Sequence, residues 1–85
     1  DWSLPIKEQT KEVLDNIDQQ LALAGSNKSR ILSATIWLDD VRDFDQMNEV
    51  WEAWVDPENP PARATCEARL AAPGVRVEIT VTAAK

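Results

Sequence analysis

The sequence has no histidine and no tyrosine. Without histidine there is no Ser-His or Cys-His dyad, and both the commonest general base and the commonest metal ligand are gone. Cys66 is the only cysteine, which excludes an internal disulfide and a thiolate metal cluster and suits a reducing cytoplasm. Basic residues are scarce, 9 against 15 acidic ones, and the net charge of −6 opposes binding to phosphate backbones. No apolar run approaches the roughly 18 residues of a membrane span. No secretory signal pattern is present either. Any chemistry must come from carboxylates, arginine, hydroxyls, backbone groups and water.

What is there fits one small globular domain, residues 1–85, with 44% hydrophobic and 28% charged residues. A domain of this size buries only roughly 60–65% of its unfolded surface, so it gains from oligomerisation. The sequence predicts a first helix from Pro5 to Ala24, with Ser3 as N-cap and Pro5 in the first turn. Ile6, Val13, Leu14, Ile17, Leu21 and Ala24 form its apolar stripe, and Gly25 ends it. After a turn at Ser26 to Arg30, Ile31 to Leu38 reads as a strand with Leu32, Ala34, Ile36 and Leu38 on one face. Asp43 with Gln46 suggests a capping box opening a second helix, whose apolar face is Phe44, Met47, Val50, Trp51 and Trp54. Pro57, Pro60 and Pro61 forbid its continuation.

The chain then reads as a hairpin. One strand carries Ala64, Cys66, Ala68 and Leu70 on an apolar face, with Arg63, Thr65, Glu67 and Arg69 on the other. The next carries Val75, Val77, Ile79 and Val81, opposed by Arg76, Glu78, Thr80 and Thr82. The apolar faces are expected to pack on the helices, leaving Arg63, Thr65, Glu67 and Glu78 on one polar surface. The register is open. A turn centred on Pro73-Gly74 sets Arg69 opposite Glu78, whereas a longer loop sets Glu67 there.

Several motifs occur in a fixed order: Gln9-Thr10, Leu14-Asp15-Asn16-Ile17, Ala24-Gly25-Ser26, Leu38-Asp39-Asp40, Asp43-Phe44, Met47-Asn48, Pro61-Ala62-Arg63 and Val77-Glu78-Ile79. Together they resemble the Rid (YjgF/YER057c, "endoribonuclease L-PSP") family. Trp51-Glu52-Ala53-Trp54-Val55 and Gly25-Ser26-Asn27-Lys28-Ser29 resemble its YoaB-like branch most. The resemblance implies an α+β, chorismate-mutase-like mixed sheet with two helices on one face, assembled as a homotrimer with sites between subunits. It also implies further strands before the first helix, which this sequence does not carry. The implied activity is hydrolysis of reactive 2-imino and 2-enamino acids to 2-keto acids and ammonia, with no metal or organic cofactor. The family pattern gives substrate-carboxylate binding to Arg63 and positioning of the attacking water to Glu78, the catalytic residue. The family often has cysteine two residues after the arginine, facing the cleft. Thr65 holds that place here, so Thr65 is expected to line the site and Cys66 to point into the core.

The chemistry is self-consistent. A C=N carbon is already electrophilic, so orientation and a placed water matter more than a strong base. Arginine grips a carboxylate through paired, charge-assisted hydrogen bonds. A structural reading stands beside this one: Arg63 paired with Glu67 or Asp56, and Glu78 paired across the sheet with Arg69. Asp39-Asp40-Val41-Arg42-Asp43 has the DDxxD metal pattern but spans a strand end, a turn and a helix cap, and no metal is expected. Asn27-Lys28-Ser29 matches a glycosylation sequon without other signs of secretion. Trp51 and Trp54 suit helix-to-sheet packing better than base stacking. Two further functions compete with deamination: a non-catalytic trimer binding a small carboxylate, and a ribonuclease. The acidic balance and the lack of a basic stripe argue against the ribonuclease.

Overall fold

The computed structural model describes residues 5–85. Helix α1 spans Ile6–Leu23, one residue shorter at each end than the periodicity predicts. The proposed cap Ser3 lies outside the described residues. The helix ends in a Schellman motif: Ser26 N–H donates to Leu21 O (2.8 Å) and Gly25 N–H to Ala22 O (3.1 Å). Gly25 has φ 78°, and a Cβ there would meet nothing within 4 Å. Glycine is therefore needed for its left-handed backbone, not for space.

A 3₁₀ turn at Lys28–Arg30 leads into β1, Ile31–Leu38, the strand the alternation predicts. One detail differs. Ile31 is buried and Leu32 is 61% exposed, because the ladder to the antiparallel neighbour shifts between Ile31 and Ser33. The extra residue of this bulge turns Leu32 out of the core face on which alternation had placed it.

Helix α2, Phe44–Trp54, also follows the predicted stripe, but its start is built differently. Asp43 makes no side-chain cap bond. It already belongs to a 3₁₀ turn, Val41–Asp43, with φ −83° and ψ 1°, away from the extended backbone that an Asp cap requires. Asp40 caps that turn instead, accepting from Arg42 N–H at 2.9 Å.

The remaining strands, β2 (Ala62–Glu67) and β3 (Val77–Ala83), do not form a hairpin. The sheet order is β2-β1-β3, with β2 parallel and β3 antiparallel to β1. Residues 68–76 cross the end of β1, held by Ala68 N–H to Leu38 O (2.9 Å) and Asp39 N–H to Arg76 O (3.1 Å). A tight Pro73-Gly74 turn would twist against the strands. Pairing on either side of β1 instead satisfies both of its hydrogen-bonding edges.

Register then fixes which way each strand faces. Ala34 pairs with Arg63, Ile36 with Thr65 and Leu38 with Glu67. Ala34, Ile36 and Leu38 are core residues, so Arg63, Thr65 and Glu67 point to the helix side. This reverses the expectation for β2: Ala64 and Cys66 take the outer face, and Cys66 is exposed rather than buried. On β3, Val77, Ile79 and Val81 oppose Leu38, Ile36 and Ala34 on the helix side, as the alternation predicts. Both helices pack on that one face around Ile6, Leu14, Met47, Trp51 and Val55, the mixed α+β architecture expected. Trp54 Nε1–H donates to Asp18 Oδ2 (2.8 Å) and ties α2 to α1.

Candidate functional site

Arg63 stands at the sheet edge beside α2. Its Nη1–H donates to Asn48 Oδ1 at 2.6 Å. Its guanidinium carbon lies 5.5 Å from the centre of the Phe44 ring and 5.7 Å from that of Trp51. Phe44, Asn48 and Trp51 fall four and three residues apart on one face of α2, so a single helix supplies the aromatic bed and the amide. The half-buried arginine lays its stem over apolar surface and keeps its head at the edge of the domain. Among the described residues no carboxylate pairs with it, so the expected partners Glu67 and Asp56 are not used. Glu67 Oε1 accepts from Val41 N–H (2.9 Å), and Asp56 Oδ1 accepts from Glu58 N–H (2.9 Å).

Thr65 is on the same face as Arg63, one pleat along. Its hydroxyl is buried and has no hydrogen-bond partner. A buried hydroxyl without a partner is unfavourable by about 1–3 kcal/mol. The atom is enclosed by the chain itself, beneath the surface on which Arg63 lies.

Glu78 is elsewhere. It pairs in register with Trp37 on the outer face, is exposed, and makes no ion pair among the described residues, so the alternative partner Arg69 is not used. β1 lies between the two strands that carry Arg63 and Glu78. Within one chain the structure brings Arg63 and Thr65 together and leaves Glu78 on the opposite face. The shared polar surface expected from a hairpin is therefore absent. The cause is the inverted facing of β2, which alternation alone could not reveal.

Asn48 was not among the predicted site residues. An amide between Phe44 and Trp51 on the inward stripe of α2 was the available signal. Gln9 is a second such residue: 5% exposed, it donates from Nε2 to Gly74 O (2.8 Å) and accepts at Oε1 from Arg76 N–H (2.9 Å). It thereby fixes the loop before β3. The acidic pattern at residues 39–43 is a turn: Asp40 also binds the Arg42 side chain, with Nη2 to Oδ2 at 2.7 Å. Those bonds hold the Asp40 carboxyl well below its ordinary 3.8, at about 2. A groove of about 430 Å³ between the helices, floored by Leu14, Val50 and Trp54, contains none of the predicted site residues. Among the described residues no helix is long and apolar enough to cross a membrane.

The class defined by two helices on one face of this mixed sheet is that of the YjgF-type proteins. A YjgF-family crystal structure from Neisseria meningitidis superposes with a TM-score of 0.93 at 52% identity, covering 94% of this chain and 67% of that one. A family model described as "Endoribonuclease L-PSP" matches residues 3–85. The chain belongs to that family, the Rid family, on its YoaB-like branch. A RutC family protein from Haemophilus influenzae is 57% identical over 76 residues, covering 89% of this chain and 66% of the relative. The RutC family protein YoaB of Escherichia coli is 49% identical over 77 residues, covering 91% and 68%. The chain thus spans about two thirds of the length of these relatives.

Proposed function

We propose that this protein hydrolyses reactive 2-imino and 2-enamino acids to 2-keto acids and ammonia, as a cytoplasmic homotrimer with its sites between copies. One observation carries the reading: Arg63 is half-buried and anchored by an amide, has no acidic partner among the described residues, and shares its face with the orphan hydroxyl of Thr65. That arrangement supports a carboxylate receptor at Arg63. The remaining guanidinium N–H groups can bind a substrate carboxylate in a paired, charge-assisted contact.

An enamine such as 2-aminoacrylate tautomerises to its imine. Water then adds to the C=N carbon, with its oxygen bonding to carbon and one proton passing to nitrogen. The resulting carbinolamine loses ammonia and leaves the keto acid. Glu78 suits the proton transfers, taking one from water and returning one to the departing nitrogen. Because Glu78 faces away from Arg63 in its own chain, the acid in each cleft must come from an adjacent copy. Ammonia release from freshly generated 2-aminoacrylate tests the reading. The full-length protein is expected to accelerate it, and Arg63→Ala to abolish the acceleration. No acceleration by a trimeric preparation would defeat the proposal.

A second reading follows from the same separation of Arg63 and Glu78. If the clefts do not supply a carboxylate, the protein is a small-carboxylate-binding module without turnover. Keto-acid binding with no ammonia release distinguishes it.

A further inference from the structure

The way Arg63 is held suggests why an amide, and not an acid, stands at position 48. A buried arginine is usually anchored by a carboxylate, which gives the stronger contact and cancels the charge. Asn48 supplies an acceptor of the same shape with no charge. Phe44 and Trp51 add the negative faces of two rings, which attract a cation without neutralising it. Nothing charged on α2 competes at this point: the only Asn48 contact to the guanidinium is the neutral one at 2.6 Å. Arg30, Arg69 and Arg76 also lack an acidic partner among the described residues, but all three are exposed; Arg63 alone of the arginines is half-buried, held by a neutral amide and two rings.

We propose that Asn48 is a positioning residue. It fixes one arm of the Arg63 guanidinium so that the other N–H groups face the ligand, and its neutrality keeps the full positive charge available to an incoming carboxylate. This rests on the reading of Arg63 as the carboxylate receptor. Phe44 and Trp51 flank the guanidinium, with ring centres 5.5 and 5.7 Å from its carbon.

The decisive substitution is Asn48→Asp, which keeps size and acceptor geometry and adds a charge. A purely structural Asn48 would tolerate it, since Arg63 would gain an ion pair. The test uses the full-length protein, with pyruvate as probe in calorimetric titration and thermal unfolding in parallel. In Asn48→Asp, pyruvate affinity is expected to fall roughly tenfold or more, because the receptor charge is spent internally. Its melting temperature is expected to be equal to wild type or higher. Asn48→Ala is expected to weaken pyruvate binding by about fivefold, the loss of one hydrogen bond. If turnover is measurable, both variants should raise KM and leave kcat nearly unchanged, as loss of uniform binding does. Wild-type affinity in Asn48→Asp would overturn the assignment while leaving Arg63 as receptor. Absence of pyruvate binding and of turnover in the wild-type protein itself would overturn both. Pyruvate binding reduced in Asn48→Asp no more than in Asn48→Ala would show that the added charge is without effect on the ligand and would overturn the assignment.

Discussion

Arg63 and Glu78 project from opposite faces of the sheet, on the two strands that flank β1. A cleft using both must draw them from different copies, which makes the pairing testable by subunit mixing. Arg63→Ala and Glu78→Gln should each be inactive alone. Mixed evenly after dissociation and reassembly, they should regain activity at roughly a quarter of the shared sites, as expected for a closed ring of random composition. Ammonia release measured before and after mixing checks this. No recovery in a mixture shown by mass spectrometry to contain hybrid rings would place the two groups outside a common site.

Gln9 reaches from α1 to the loop before β3 with both ends of its amide. Gln9→Ala removes the amide from Gly74 O and Arg76 N–H, both on exposed residues, and is expected to cost about 1–3 kcal/mol of stability. Urea denaturation gives the value. Hydrogen exchange should also speed selectively at the Arg76 amide, which donates to Gln9 Oε1.

The bulge in β1 predicts a sharp contrast between two leucines in one strand. Leu38 is 0% exposed, and Leu38→Ala should cost about 2–5 kcal/mol. Leu32 is 61% exposed, and Leu32→Ala should stay within about 0.5 kcal/mol of wild type in the dissociated chain. Chemical denaturation at low protein concentration separates them. Similar costs would mean that strand alternation runs through without a bulge.

Asp40 gives a pH signature. Hydrogen bonds from the Arg42 side chain, then from its backbone N–H, hold the carboxyl at about 2, below its ordinary 3.8. The folded value is the lower one, so the ionised form favours folding. That contribution is complete above about 4 and disappears as pH falls toward 2. The side-chain carboxyl carbon of Asp40, followed by NMR, should titrate near 2 in wild type. In Arg42→Ala it should move up toward 3.8, since the side-chain contact is the larger cause.

Much of the fold is legible in the residues because it is local. The stripe of α1 and Gly25 after it mark a helix and its end. Alternation marks Ile31–Leu38, and the prolines after Trp54 close α2. What alternation cannot carry is partnership. It separates the faces of a strand but does not say which neighbour the strand meets, so β2 and β3 read as a hairpin when both belong to β1. Nor does it say which face is inward when both are mixed. Ala64 and Cys66 look more apolar than Arg63 and Thr65, yet the aromatic rings of α2 reverse the choice. Asp43 misled for a related reason: the residue type suits a cap, but a preceding turn of 3₁₀ helix had already moved its backbone. At the site, the family motifs point to Arg63, Thr65 and Glu78, whereas the support from Asn48 emerges only when α2 is laid against the sheet edge.

The placement of β1 in the middle sets the order in which the sheet can assemble during synthesis. This strand leaves the ribosome before either neighbour, so both of its ladders wait for downstream residues. The antiparallel ladder waits longest, until β3 has emerged. Until then its apolar face is covered by α1 and α2, which both emerge earlier, while its bare edges are open to a second nascent chain. Slow translation between β1 and β3 should therefore favour aggregation, and rapid synthesis should suppress it.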